Sequence, residues 1–293
     1  MIQSRTVHFH YHVPKCAGRT IDRHIANSMA RHAFYRTQKR RGAVRFFSAR
    51  QYDDIDANQI RVVAGHYLGR SIEARFPDQR TERSILLRDP VSHLISYYNF
   101  RMMRYISQGL HPYSFELAYQ ATQRNFITHY ILKNFLELPW LRIASLGDAD
   151  KYDIVNAFLS TFWYVGDYSL CDDLVSSLGL KLGISCRAIQ RNTKHEWKRR
   201  VSWTPLSLEH LSADAVARIR QENLLDQRLW ETWRQARHNV RSIYCSQWVE
   251  HNMPDFVTSE TTRFVGQILR RLRRRLVPSR IDARPAFAEN RLI

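Results

Sequence analysis

The segment Pro14-Lys15-Cys16-Ala17-Gly18-Arg19-Thr20 follows a run of strand-forming residues and leads into a helical pattern. Residues of these types at such a junction can hold an oxyanion. A helix N-terminus offers free N–H groups and the positive end of a dipole, Gly18 lets the backbone approach closely, and Lys15 and Thr20 add side-chain donors. Phosphate and sulfate satisfy such a cradle equally well. The GxxxxGK[ST] spacing of a Walker A loop is absent, which disfavours an ordinary NTPase. About seventy residues further on, Arg88 offers a planar fork suited to a phosphate, and Ser96 follows two helical turns later. An ion pair with Asp89 is the plainer role for Arg88. His66 ends a short apolar run, and an imidazole that titrates near working pH suits a general base. His10, His12 and His195 are its rivals in a chain with 13 histidines.

These residues need rigid elements behind them. Thr6 to Val13 alternates β-branched or aromatic residues with histidines, as a strand does, and Pro14 ends the ladder. Arg19 to Phe34 carries Ile21, Ile25, Met29 and Ala33 at helical spacing. The chain thus opens as strand, loop and helix, the first half of a βαβ unit. Arg61 to Ala64, Ser84 to Leu87 and Phe162 to Val165 are further short apolar runs, each followed by a glycine or a polar residue. Helical stretches are expected at Val91 to Ile106, Ser114 to Phe135 and Leu170 to Leu182. The pattern predicts an α/β chain with a P-loop-like three-layer fold, its central parallel sheet flanked by helices and its site at the strand C-terminal ends.

From Ser207 to Glu250 helical periodicity returns through Leu211, Val216, Ile219, Leu225 and Leu229, predicting a C-terminal helical lobe. One domain is expected over residues 1–260, with an α/β core at about 5–183 and the lobe at about 205–250. Residues 261–293 form a basic amphipathic helix and tail, in which Phe264, Val265, Ile268, Leu269, Leu272 and Leu276 make a stripe among arginines. Arg191 to Arg200 is a basic stretch that reads either as a lid or as a solvated loop.

The 293 residues, 44% of them hydrophobic, suffice for a sizeable core. An excess of 45 Lys+Arg over 27 Asp+Glu leaves a net charge of +18, which favours a polyanionic partner. Nucleic acid, anionic lipid, acidic polysaccharide and a phosphorylated nucleotide all qualify. Cys16, Cys171, Cys186 and Cys245 are widely spaced with no CxxC pair, so free thiols are expected and a zinc site is not. The sequence has neither a signal-peptide pattern nor a membrane-spanning run. A cytoplasmic protein is expected, with residues 262–277 able to touch an anionic inner membrane surface.

His12-Val13-Pro14-Lys15-Cys16-Ala17-Gly18 resembles the H-[IV]-P-K-[TC]-[AG]-G phosphosulfate loop of the carbohydrate sulfotransferases related to heparan sulfate 2-O-sulfotransferase and their bacterial relatives. Leu87-Arg88-Asp89-Pro90-Val91, followed by Ser96-Tyr97-Tyr98, is similar to that family's L-R-[DN]-P-V-x-R-x-x-S-x-[YF] stretch, which grips a 3′-phosphate. Ala64-Gly65-His66-Tyr67, Tyr164-Val165-Gly166 and Asn223-Leu224-Leu225-Asp226 fall in family order, so the matches run from about residue 6 to about residue 232.

The resemblance implies transfer of a sulfuryl group from 3′-phosphoadenosine 5′-phosphosulfate (PAPS) to an acceptor hydroxyl, with a carbohydrate as the foremost acceptor class and 3′-phosphoadenosine 5′-phosphate (PAP) as product. Pro14 to Thr20, Arg88 and Ser96 would bind the donor. Lys15 would follow charge onto the bridging oxygen, and His66 would act as base, with no metal and no nucleic acid involved. Two departures stand out: Arg19 occupies a position where relatives carry Ser or Thr, and Ser92-His93 replaces an acidic and basic pair. A polyanion- or membrane-surface-binding protein on the same fold, and a kinase or other nucleotide binder, are the competing readings.

Overall fold

Alternation along β1 (Thr6–Tyr11) sorts two chemistries onto its two faces. Val7, Phe9 and Tyr11 are buried on one face, His8 and His10 on the other, so the strand needs cover on both sides. The computed structural model describes residues 5–37, 55–187 and 203–235 and the backbone of Arg237 and His238. In it, β2 (Phe34–Arg36) pairs with β3 (Val62–Gly65), which pairs with β1; β4 (Arg80–Leu87) flanks β1 on the other side, and β5 (Tyr164–Asp167) lies beyond it. These five strands are parallel. Parallel neighbours require crossovers, which bring helices onto both faces and give an α/β architecture. The helices are α1 (Gly18–Ser28), α2 (Pro90–Ile106), α3 (Phe115–Gln120), α4 (Phe126–Tyr130), α5 (Trp140–Ser145), α6 (Asp148–Leu159), α7 (Cys171–Leu182), α8 (Ala213–Glu222) and α9 (Leu224–Trp233).

Several elements differ from the sequence expectation. The first helix stops at Ser28 rather than Phe34, because Met29 turns extended and Phe34 enters the sheet opposite Val62. The helix expected over Ser114 to Phe135 breaks into α3, α4 and a π-helical turn, Ile131–Phe135, with Asn125 left-handed at the start of α4. The last third is not purely helical. After α9, β6 (Arg237–His238) adds an antiparallel strand beside β5. Arg191–Arg200, His195, Cys245 and residues 261–293 lie outside the described residues.

β4 begins four residues before its apolar run, and buried polar pairing accounts for this. Arg83 and Glu73 are both 0% exposed, with Nε 2.8 Å from Oε1 and a guanidinium nitrogen 2.6 Å from Oε2. The Tyr11 hydroxyl donates to the same carboxylate at 2.7 Å. Removing one partner would strand a buried charge, a change that costs about 3–5 kcal/mol. Around this pair, Phe135, Phe158 and Phe162 pack on Tyr11 with ring centroids 4.9–5.9 Å away.

The opposite face of β1 is a histidine layer. The Ser84 hydroxyl lies 2.8 Å from His8 Nε2 and 3.0 Å from His10 Nδ1. Having a single proton, it donates to one ring and accepts from the other. α1 and the turn after α7 cover this layer, with His24 donating to the Ser185 carbonyl at 2.8 Å. Burial holds His8 well below its ordinary pKa and pushes His10, His12, His66 and His93 down to about 3. These rings are neutral in the folded chain and titrate near 6.5 when unfolded. Stability is therefore unaffected above pH 6.5 and is lost as pH falls from there toward 3. Urea unfolding at pH 7.5 and 5.5 should differ by about 1.4 kcal/mol per buried ring, several kcal/mol in all. A loss equal to a single histidine would contradict a layer that stays neutral as a unit.

Candidate functional site

β1 delivers the chain to its C-terminal end, where the loop turns sharply. Lys15 and Ala17 both adopt left-handed backbone, with φ of 70° and 60°. For residues bearing Cβ this costs about 1–2 kcal/mol each, so the surroundings must hold the turn. Two donors from the β4–α2 junction do so. Arg88 donates to the Lys15 carbonyl at 3.0 Å, and His93 Nε2–H donates to the Pro14 carbonyl at 2.9 Å. Cys16 N–H closes the turn onto Val13 O at 3.2 Å. Burial pushes the Cys16 thiol up to about 12, which leaves it protonated and unsuited to nucleophilic work.

α1 then opens without a side-chain cap, its N-terminus directed at the loop. Gly18 is required there by space: a Cβ would lie 1.9 Å from His12 Cδ2. Arg88 also donates to Ser92 Oγ at 3.2 Å and rests over the Tyr168 ring at 3.9 Å. Asp89 does not take the guanidinium; it caps α2 by accepting Ser92 N–H at 2.9 Å, with Pro90 opening the helix. Lys15 Nζ sits 4.4 Å from the centroid of Phe100, and the Arg104 guanidinium is 5.7 Å from the same ring. Ser92, Ser96, Phe100 and Arg104 recur every fourth residue, so Ser96 shares the α2 face that looks onto the loop. Burial first, then the charges of Arg88 and Arg19, bring Lys15 down to about 8. Lys15 and Arg88 thus bring two cations to one helix N-terminus, while Arg19 is exposed on its first turn.

His66 stands at the end of β3 beside this loop. Its Nδ1 lies 3.0 Å from the His12 carbonyl. A carbonyl only accepts, so Nδ1 carries the proton and Nε2 keeps the lone pair. The ring lies against His12 with centroids 3.7 Å apart and planes tilted by 32°. The expectation of titration near working pH is corrected here: burial, then the adjacent His12, push His66 down to about 3. His10, a rival for the base, is committed to the buried Ser84 pair.

The C-terminal helices fix the far side. Asp226 accepts from Ile127 N, Thr128 N and Thr128 Oγ1 at 2.9, 2.8 and 2.6 Å, capping α4. Asn223 Oδ1 accepts Asn125 N–H at 2.9 Å, and Asn125 Oδ1 accepts Leu225 N–H at 3.0 Å. α4 in turn sends the Tyr130 hydroxyl to the His66 carbonyl and stacks Phe126 on His93 at 5.2 Å.

The structure brings Pro14 to Gly18, Arg88, the α2 face carrying Ser96, and His66 to one edge of the sheet, and leaves Arg19 exposed on α1. Sequence reasoning missed Asp22, Tyr130 and Tyr168 as parts of the site. It noted Ser92 and His93 only as departures, and the signal of His93 was there: a histidine replacing a longer cation beside Pro90. Among the described residues no group of His, Cys, Asp or Glu is arranged to hold a metal, and no helix is long and apolar enough to cross a membrane. No protein-family model matches the chain, and no curated protein matches it.

Asp226→Ala removes three hydrogen bonds to a buried carboxylate. It should lower unfolding free energy by about 3 kcal/mol, read by urea titration. An unchanged midpoint would show that α4 is held by packing alone.

Proposed function

We propose that the chain is a PAPS-dependent sulfotransferase on a P-loop-like fold, moving a sulfuryl group to the hydroxyl of an acceptor, with a carbohydrate as the foremost class. The observation that carries this reading is the meeting of Lys15 and Arg88 at the uncapped N-terminus of α1, where Arg88 donates to the Lys15 carbonyl at 3.0 Å. Burial and the neighbouring Arg88 charge disfavour the Lys15 ammonium, and a multiply charged anion relieves that penalty. The strand order β2-β3-β1-β4-β5, with the loop between β1 and α1, supports the P-loop-like description. The conclusion extends to the donor through the second anion position, where Arg88 and the Ser96 face of α2 would take a 3′-phosphate, and the sequence resemblance supplies its identity.

PAPS would supply an activated sulfuryl group on a phosphate leaving group. The residues of this chain then have separable tasks. Gly18 and the α1 N-terminus receive the oxyanion end, and Arg88 fixes the other end bidentately. Lys15 neutralises charge that develops on the bridging oxygen, a role in which positioning and electrostatics do most of the work. His66 Nε2, aimed by the Nδ1–H bond to His12 O, accepts the hydroxyl proton. A bound polyanion raises the basicity of His66 by adding negative charge beside a ring that burial keeps neutral. The low basicity of His66 in the free chain favours one competitor, a polyanion-binding protein without transfer, for which PAP would bind and PAPS would persist.

Lys15→Ala should lower PAPS turnover by about 10²–10³-fold, and His66→Ala should lower it by about 10²-fold or more with PAP binding retained. Full activity in either variant would remove the role given to that residue. Calorimetry across pH offers an independent check. Lys15 loses its charge as pH rises through about 8, so PAP affinity of the free chain should decline above that value. Lys15→Arg should flatten the decline, since guanidinium keeps its charge. Thermal shifts with PAP larger than those with ATP would support the 3′-phosphate site, and the reverse order would favour a nucleotide kinase.

A further inference from the structure

His12 touches both halves of the proposed site. On one side its ring lies against His66, with centroids 3.7 Å apart and planes tilted by 32°, and its carbonyl takes the His66 Nδ1–H. On the other it lies against Gly18 so closely that a methyl there would meet Cδ2 at 1.9 Å. Asp22, one helical turn into α1, orients the ring: its Oδ2 is 3.3 Å from His12 Nδ1 and 3.3 Å from Arg36 Nε. His12 is 3% exposed and Asp22 2%, so neither reaches solvent to act as a general base itself.

We propose that His12, oriented by Asp22, is a positioning residue, a rigid ring that sets the separation between His66 and the anion-binding N-terminus of α1. The inference rests on the donor and base roles given above. Its physical basis is tolerance: reacting groups must be held within about 0.5 Å of the productive geometry, and a displacement of about 1 Å costs about 10²-fold in rate. A side chain on a loop rarely meets that standard unaided. Here a planar ring is wedged between two partners in a close-packed interior, and its rotation about χ2 is set by the Asp22 carboxylate. Phenylalanine would fill the same gap without the bond to Asp22, which is the reason for an imidazole. The Asp22 charge has a second effect, since it favours the protonated form of His66.

The test uses the full chain with PAP and PAPS as probes. PAP affinity is measured by calorimetry, and breakdown of saturating PAPS to PAP and sulfate is followed with water as acceptor. In that step the bond from sulfur to the bridging oxygen breaks, a bond from sulfur to water oxygen forms, and the water proton leaves through His66. His12→Ala should slow breakdown by about 10–10²-fold while PAP affinity changes less than about threefold. His12→Phe, which keeps the ring volume, should fall between the wild type and His12→Ala. Gly18→Ala should weaken PAP binding by pushing on the His12 ring, and the double variant His12→Ala/Gly18→Ala should regain PAP affinity without regaining turnover. Unchanged turnover in His12→Ala, or a loss matched by an equal loss of PAP affinity, would overturn the spacer. A wild type that binds no PAP would sink the donor reading alone. The ¹⁵N imidazole resonances of His66 would then decide the spacer, which requires them to move in His12→Ala and fails if they do not.

Discussion

The site depends on the clamp that the β4–α2 junction places on two successive carbonyl groups, those of Pro14 and Lys15. The loop carries two left-handed residues with side chains, a conformation that relaxes unless held. Arg88 and His93 supply the hold. Because β1 and β4 are neighbours in register along Thr6–Tyr11, the donors and the acceptors are delivered by adjacent strand ends and need no long-range adjustment. The same Arg88 that shapes the loop also brings a positive charge to the N-terminal end of α1. Shape and electrostatics are therefore inseparable at this position.

The sheet beneath is unusual in what it buries. One face of β1 and β4 is organised around Arg83, Glu73 and Tyr11, the other around His8, His10 and Ser84. Apolar residues of similar volume would serve stability as well or better. What paired polar groups add is a demand on register, since a slip by one residue would move His8 and His10 to the face of Arg83 and leave both sets without partners. The neutral histidines also tie the integrity of α1 and its loop to pH. His12, the last of the series, belongs at once to this layer and to the site.

A second chain of support runs from the C-terminal helices. Asp226 and Asn223 cap α4, and α4 reaches the site twice, through Tyr130 to the His66 carbonyl and through Phe126 to the His93 ring. Trp230 Nε1–H also donates to Asp167 at the end of β5, at 2.6 Å. Residues some hundred positions downstream thus support both His66 and the clamp. Loosening α9 is expected to disturb function well before it disturbs the sheet, because caps and stacking rings are weaker than the buried strands.

Much of the fold was legible in the chain. Period-two alternation marked β1, short apolar runs marked β3 and β5, and the segment with Gly18 marked the turn from strand into helix, since these signals are local and follow from backbone periodicity and helix-end chemistry. The Asn223-x-x-Asp226 spacing was visible too, but not its task, because capping across some hundred residues leaves no local trace. β2 and the first half of β4 were hidden for a related reason: Phe34–Arg36 and Arg80–Arg83 become strands through their neighbours, and Arg83 is buried only because Glu73 meets it. The basicity of His66 was decided by tertiary structure alone, since the burial and the His12 ring that lower it are brought there by the fold. Sequence by itself determined which residues could bind an anion. Only the packing decided which of them face one another, because distance and desolvation are properties of the assembled molecule.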